Sequence, residues 1–115
     1  MNKKFTVTID LGGTKVLSAL LNSQNEIIGR VKIATDIKKG ADFLVDNIGE
    51  SVRQLINENN INEKDIRAVS MGVPGTVNPF TGLIGNAPNL GISNYNIKDA
   101  LKKHFSVPVL IENDV

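Results

Sequence analysis

The strand that opens this chain ends in a carboxylate and two glycines and then turns straight back into another strand, and that pattern limits what the chain can become. Phe5, Val7 and Ile9 alternate with Thr6, Thr8 and Asp10, the period of a strand with one apolar face. Gly12-Gly13 supplies a tight turn in which one or both glycines are expected to take positive φ, and Val16 to Leu21 resumes as a second strand, mostly apolar and β-branched. A glycine-rich loop that opens a helix would suit a dinucleotide fold or a P-loop. This one sits inside a hairpin and has the spacing of neither. After the polar turn Asn22-Ser23-Gln24-Asn25, Glu26 to Ala34 alternates through Ile27, Val31 and Ile33, so three antiparallel strands follow one another.

Gly40 marks a break. Beyond it Leu44, Ile48, Val52, Leu55 and Ile56 recur mostly at helical spacing among Asp46, Glu50, Arg53 and Glu58, which predicts an amphipathic helix ending near Asn59-Asn60. Ile66 to Val73, closed by Pro74-Gly75, reads as a buried parallel strand reached by that helical crossover. Gly75, Pro79, Gly82, Gly85, Pro88 and Gly91 then break regular structure, predicting a looped or hairpin excursion. Asn96 is placed to cap a second helix, with Asp99 in its first turn and Ile97, Leu101 and Phe105 as its buried stripe. Val107 to Ile111 reads as the last strand, with Pro108 near its start. The whole is an α/β mixed sheet in the order βββαβαβ.

Composition excludes several classes of function. With 115 residues, 41% of them hydrophobic, the chain suits one folded domain but is short for both walls of a two-substrate cleft. A net charge of +1, with basic pairs only at Lys3-Lys4, Lys38-Lys39 and Lys102-Lys103, gives no footprint for nucleic acid. The absence of cysteine rules out disulfides and thiolate zinc sites within these residues and suits a reducing compartment. No apolar run is long enough for a signal peptide or a membrane span, so the expected location is the cytoplasm.

Three constellations can carry chemistry. In Asp10-Leu11-Gly12-Gly13-Thr14-Lys15 the glycines let backbone N–H groups approach an anion, Thr14 adds a hydroxyl, and Asp10 can orient a hydrated divalent cation. The plainer alternative is a hairpin turn with a surface Asp. Lys15 either supports a phosphate or simply faces water. Gly72-Val73-Pro74-Gly75 and Asn86-Ala87-Pro88-Asn89-Leu90 offer the close backbone approach and the donors and acceptors that sugar hydroxyls require, although the same residues also build ordinary turns. Glu112-Asn113-Asp114, at the carboxyl end of the last strand, can accept a proton from a bound hydroxyl or serve as a polar loop or cap. His104, the one histidine, reads as a solvated or helix-capping residue rather than a metal ligand.

Taken in order, these motifs resemble the ROK family of repressors, open reading frames and kinases, and the resemblance spans the whole chain. It implies an amino-terminal lobe of the actin-like ATPase (ribonuclease H-like) fold over residues 1–115, belonging to a glucokinase-like sugar kinase. By the same resemblance Asp114 is the general base, and Gly75, Asn89 and Asn113 bind the sugar. Asp10 sits by Mg²⁺ and the phosphates of ATP, and Gly12, Gly13, Thr14 and Lys15 belong to the phosphate loop. The partner is a hexose, and the full-length protein is a homo-oligomer with no nucleic-acid or membrane partner. Family kinases carry the adenosine pocket, and commonly a cysteine-rich zinc site, in a second lobe that these residues do not include. The lobe alone is therefore expected to be inactive. Two rivals stand beside this reading: a sugar-sensing ROK repressor, which places a helix-turn-helix before the first strand, and a non-enzymatic actin-like domain that uses the phosphate loop alone, against which Asn89 and Asn113 argue.

Overall fold

The computed structural model describes residues 4–113. β1 (Phe5–Leu11), β2 (Lys15–Leu21) and β3 (Ile27–Ala34) form the expected antiparallel run, and α1 (Ala41–Glu58) crosses to β4 (Ile66–Val73). β5 (Thr76–Val77), β6 (Leu83–Ala87) and β7 (Ile92–Asn96) fill the predicted excursion, followed by α2 (Ile97–Lys102) and β8 (Val109–Asn113). One sheet has the order β3-β2-β1-β4-β8, with β1, β4 and β8 parallel; β5-β6-β7 make a smaller antiparallel sheet. Among the described residues no helix is long and apolar enough to cross a membrane.

Alternation decides which face of the large sheet is covered. Val7, Ile9 and Leu11 of β1 share a face with Val69, Met71 and Val73 of β4 and with Val109 and Ile111 of β8, and all are buried. α1 meets them with Leu44, Val45, Ile48, Val52, Leu55 and Ile56. α2 adds Ile97 and Leu101, touches β8 and leans on α1, so both helices lie on one side. The opposite face carries Thr8, Asp10, Leu17, Ala19, Arg30 and Lys32 around an open hollow of about 660 Å³.

Local chemistry sets the ends. α1 stops at Asn59-Asn60 as predicted: Asn60 is left-handed at φ 57°, and the N–H groups of Asn60 and Ile61 return to the carbonyls of Asn57 and Ile56. Asn96 Oδ1 accepts the Asp99 N–H at 2.9 Å, the cap expected of it. The last strand differs from the sequence reading. It begins at Val109 rather than Val107 and runs on to Asn113, while the Pro108 carbonyl accepts the Val69 N–H at 2.9 Å.

His104 neither caps a helix nor faces water, contrary to the expectation. Its side chain is 14% exposed and Nε2 lies 2.8 Å from Asp46 Oδ1 on α1. Arg53 Nη1 lies 3.1 Å from Nδ1. A guanidinium can only donate, so Nδ1 accepts and Nε2–H donates to the carboxylate. A Cβ at Gly49 would stand 2.5 Å from Nδ1, so that glycine lets the ring seat the end of α2 on α1.

Candidate active site

The three motifs converge because each ends or follows one of the three parallel strands. Asp10 pairs with Gly72 and Gly72 with Glu112, so two carboxylates share a row across a residue with no side chain. Neighbouring strands are about 4.8 Å apart, which sets those two backbones about 10 Å from each other. In open α/β sheets ligands gather at this end of the strands.

The turn between β1 and β2 departs from expectation in one respect. Neither Gly12 nor Gly13 is left-handed; the glycines with positive φ are Gly40, Gly75, Gly82 and Gly91. Gly12 is required by close approach instead. Its N–H donates to the Lys15 carbonyl at 3.0 Å, and a Cβ there would stand 2.7 Å from that oxygen. A Cβ at Gly13 would meet Asn89 Cβ and its carbonyl at 3.6 Å, so the first glycine loop lies against the second motif. Thr14 and Lys15 are exposed. Thr35, which the sequence reading passed over, donates its hydroxyl to the Gly12 carbonyl at 2.8 Å and its N–H to the Thr14 carbonyl at 3.0 Å. The register offered a signal for it: Lys15 pairs with Ala34, which sets Thr35 opposite Thr14.

Gly75 does need its glycine. Its φ is +91°, and a Cβ would collide with the Asn86 carbonyl and come within 2.9 Å of Ala87 Cα. Thr76 Oγ1 accepts the Asn86 N–H at 2.9 Å, fastening this crossing. The Asn113 amide donates to the Gly75 carbonyl, tying the end of β8 to the same loop. The second N–H of that amide and its oxygen are further polar groups for a ligand. Asn89 is exposed at a turn closed by the bonds Leu90 N–H to Ala87 O and Gly91 N–H to Pro88 O, while Leu90 is buried beneath it. Asp114, the proposed base, lies outside the described residues.

The donor set can be tested against Mg²⁺. This cation keeps most of its waters and takes one or two carboxylates plus phosphate oxygens. Asp10 at the strand end suits that role, and among the described residues no group of three or more His, Cys, Asp or Glu forms a protein cage. On the other flank Tyr95 O–H donates to Asp42 Oδ1 at 2.6 Å. Burial, then the bond to Asp42 and the charges of Asp42 and Asp46, push that phenol well above its ordinary range.

The arrangement is that of two glycine-containing loops in contact at the carboxyl ends of the parallel strands of an α/β sheet. The ROK family model matches residues 6–115, and the chain belongs to the ROK family. It is 28% identical over 114 residues to a glucokinase of Halalkalibacterium halodurans, a match covering 99% of this chain and 34% of the relative. It is also 30% identical over 112 residues to a xylose repressor of Caldicellulosiruptor bescii, covering 94% of this chain and 27% of that one. A ROK glucokinase of Streptomyces griseus, solved in complex with glucose and AMPPNP, superposes with a TM-score of 0.81 at 27% identity, over 95% of this chain and 33% of that one. The fold is therefore that of the actin-like ATPases, as expected. The chain spans about a third of the length of the glucokinases it matches.

Proposed function

We propose that residues 1–115 form the amino-terminal lobe of a cytoplasmic, ATP-dependent hexose kinase that transfers the γ-phosphoryl group to a sugar hydroxyl. The observation that carries this reading is the contact between the two loops: Gly13 lies against Asn89, with a Cβ-to-Cβ spacing of 3.6 Å if a side chain is built there. A phosphate held by the first loop and a hydroxyl held by the second are then neighbours, and in phosphoryl transfer positioning supplies most of the catalysis.

In this mechanism the N–H groups of Gly13 and Thr14 and the Thr14 hydroxyl hold the phosphates, with Gly12 closing the turn and Lys15 beside it. Asn89, Asn113 and the Gly75 backbone orient the sugar. Asp114 accepts the proton from the attacking hydroxyl as its oxygen bonds to the γ-phosphorus, and ADP leaves with the electrons of the broken P–O bond. Mg²⁺, when bound, neutralises charge on the phosphates; Asp10 would hold its waters.

The test is Asp114→Asn in the complete protein, with turnover and sugar affinity measured separately. Loss of a general base lowers turnover by a factor of about 10² to 10⁴. Loss of a neutral hydrogen bond weakens sugar binding by about 0.5 to 1.5 kcal/mol. Collapse of turnover with sugar binding kept supports the base; near-normal turnover with weakened binding makes Asp114 a positioning residue. The match to a xylose repressor favours a second reading, a sugar-sensing repressor. That reading prevails if the complete wild-type protein binds sugar and DNA but transfers no phosphate.

A further inference from the structure

We infer that Thr35 is a positioning residue for the phosphate loop, an inference that rests on the kinase reading above. Thr35 follows the last residue of β3, is half-buried, and reaches the loop twice. Its hydroxyl holds the Gly12 carbonyl at 2.8 Å and its N–H holds the Thr14 carbonyl at 3.0 Å. In a trans peptide the carbonyl of one residue and the N–H of the next point in opposite directions. Anchoring the Gly12 carbonyl on Thr35 therefore aims the Gly13 N–H away from β3. A backbone N–H held in a fixed direction at a residue with no side chain is what an anion approaches closely.

The two bonds have different vulnerability. The backbone arm survives nearly any substitution, whereas the hydroxyl arm belongs to the side chain. It joins residues 23 apart in sequence, so the edge strand β3 braces a turn that the Gly12-to-Lys15 bond closes within the β1–β2 hairpin. A loop ordered before its ligand arrives loses less affinity to ordering. The bonds of Thr35 go to Gly12 and Thr14, and the loops carrying Gly75 and Asn89 are held by other groups, Thr76 and the Ala87 and Pro88 carbonyls. The inference thus predicts an effect on the nucleotide and not on the sugar.

The experiment compares wild type, Thr35→Val, Thr35→Ala and Thr35→Ser in the complete protein, measuring KM for ATP, KM for hexose, AMPPNP affinity by calorimetry and the thermal transition. Valine keeps the branched shape and deletes the hydroxyl. The expected result is a KM for ATP and an AMPPNP dissociation constant raised about tenfold in Thr35→Val. KM for hexose should be unchanged, and Thr35→Ser should restore both nucleotide values. A folded Thr35→Val with wild-type nucleotide affinity overturns the inference, and so does an equal rise in both KM values. Should valine not be accommodated, Thr35→Ala against Thr35→Ser decides by the same criteria. A wild type that neither phosphorylates a hexose nor binds AMPPNP overturns the kinase reading and this role together. An active wild type with an unresponsive Thr35→Val removes the role alone.

Discussion

Replacing Gly75 by alanine separates two costs that glycine avoids in different places. At φ +91° any side chain is strained, by about 1 to 2 kcal/mol. At Gly75 the new methyl also runs into the Asn86 carbonyl and Ala87 Cα, backbone atoms that cannot rotate away, which adds about 1 to 3 kcal/mol. The sum, about 2 to 5 kcal/mol, is a large share of a typical domain's 5 to 15 kcal/mol or so. Gly91 is the control: its φ is +66°, but nothing lies within 4 Å of a Cβ, so Gly91→Ala should cost only the strain. Gly12→Ala is the converse, with a contact of 2.7 Å to the Lys15 carbonyl and no left-handed backbone. Urea unfolding followed by circular dichroism should rank Gly75→Ala as the most damaging of the three. Because Asn113 is bonded to the Gly75 carbonyl, the proposed kinase reading also predicts a raised KM for sugar in the complete protein where Gly75→Ala still folds. Equal destabilisation by Gly75→Ala and Gly91→Ala would refute the collision argument and leave backbone strain as the whole explanation.

On the proposed kinase reading, Gly13→Val in the complete protein should raise KM for ATP well above any change in KM for sugar, since the added methyls would crowd the proposed phosphate site and press toward Asn89. An unchanged ATP response in the folded variant would reduce the motif to an ordinary hairpin. Tyr95 is the one tyrosine of the chain, which has no tryptophan, so near-ultraviolet titration of the folded chain reads it alone. Its ionisation midpoint should lie above the ordinary value of about 10, and Asp42→Asn should lower it toward that value. The sign follows from the raised folded-state pKa: the stability this phenol contributes is complete below pH about 10 and is lost as pH rises through its folded value. A midpoint near the ordinary value would mean that the Asp42 bond does not persist in solution.

Periodicity carried most of the fold. The alternation of β1 and the apolar stripe of α1 are local signals, and so are the stop at Asn59-Asn60 and the Asn96 cap. The positions of the glycine loops were legible for the same reason, because glycine and proline mark breaks wherever they stand. What escaped depends on partners distant in sequence. Thr35 reaches Gly12 over 23 positions, His104 reaches Asp46 over 58, and Tyr95 reaches Asp42 over 53. Nothing in the immediate neighbourhood of those residues announces the bond. The small sheet was foreseen only as a looped or hairpin excursion, since β5 is two residues long and has no period to read. The conformation expected of Gly12-Gly13 was wrong for a related reason: two glycines permit a left-handed turn, but whether the chain uses it depends on where β2 must return.

The row Asp10, Gly72, Glu112 has a consequence for how such a chain can diverge. A substitution in β1, β4 or β8 changes one side chain and leaves the rest of the row in place. Loss or gain of a single residue within any of these strands exchanges its two faces. Deleting Ser70, for example, would swing Gly72 to the side where Met71 now meets Ile9 and Ile111, and would turn a buried side chain out between the two carboxylates. Length changes should therefore accumulate among descendants of this sequence in the hairpin tips, such as Asn22 to Asn25 or Asn78 to Gly82, while the three strands keep constant lengths even where their residues no longer match.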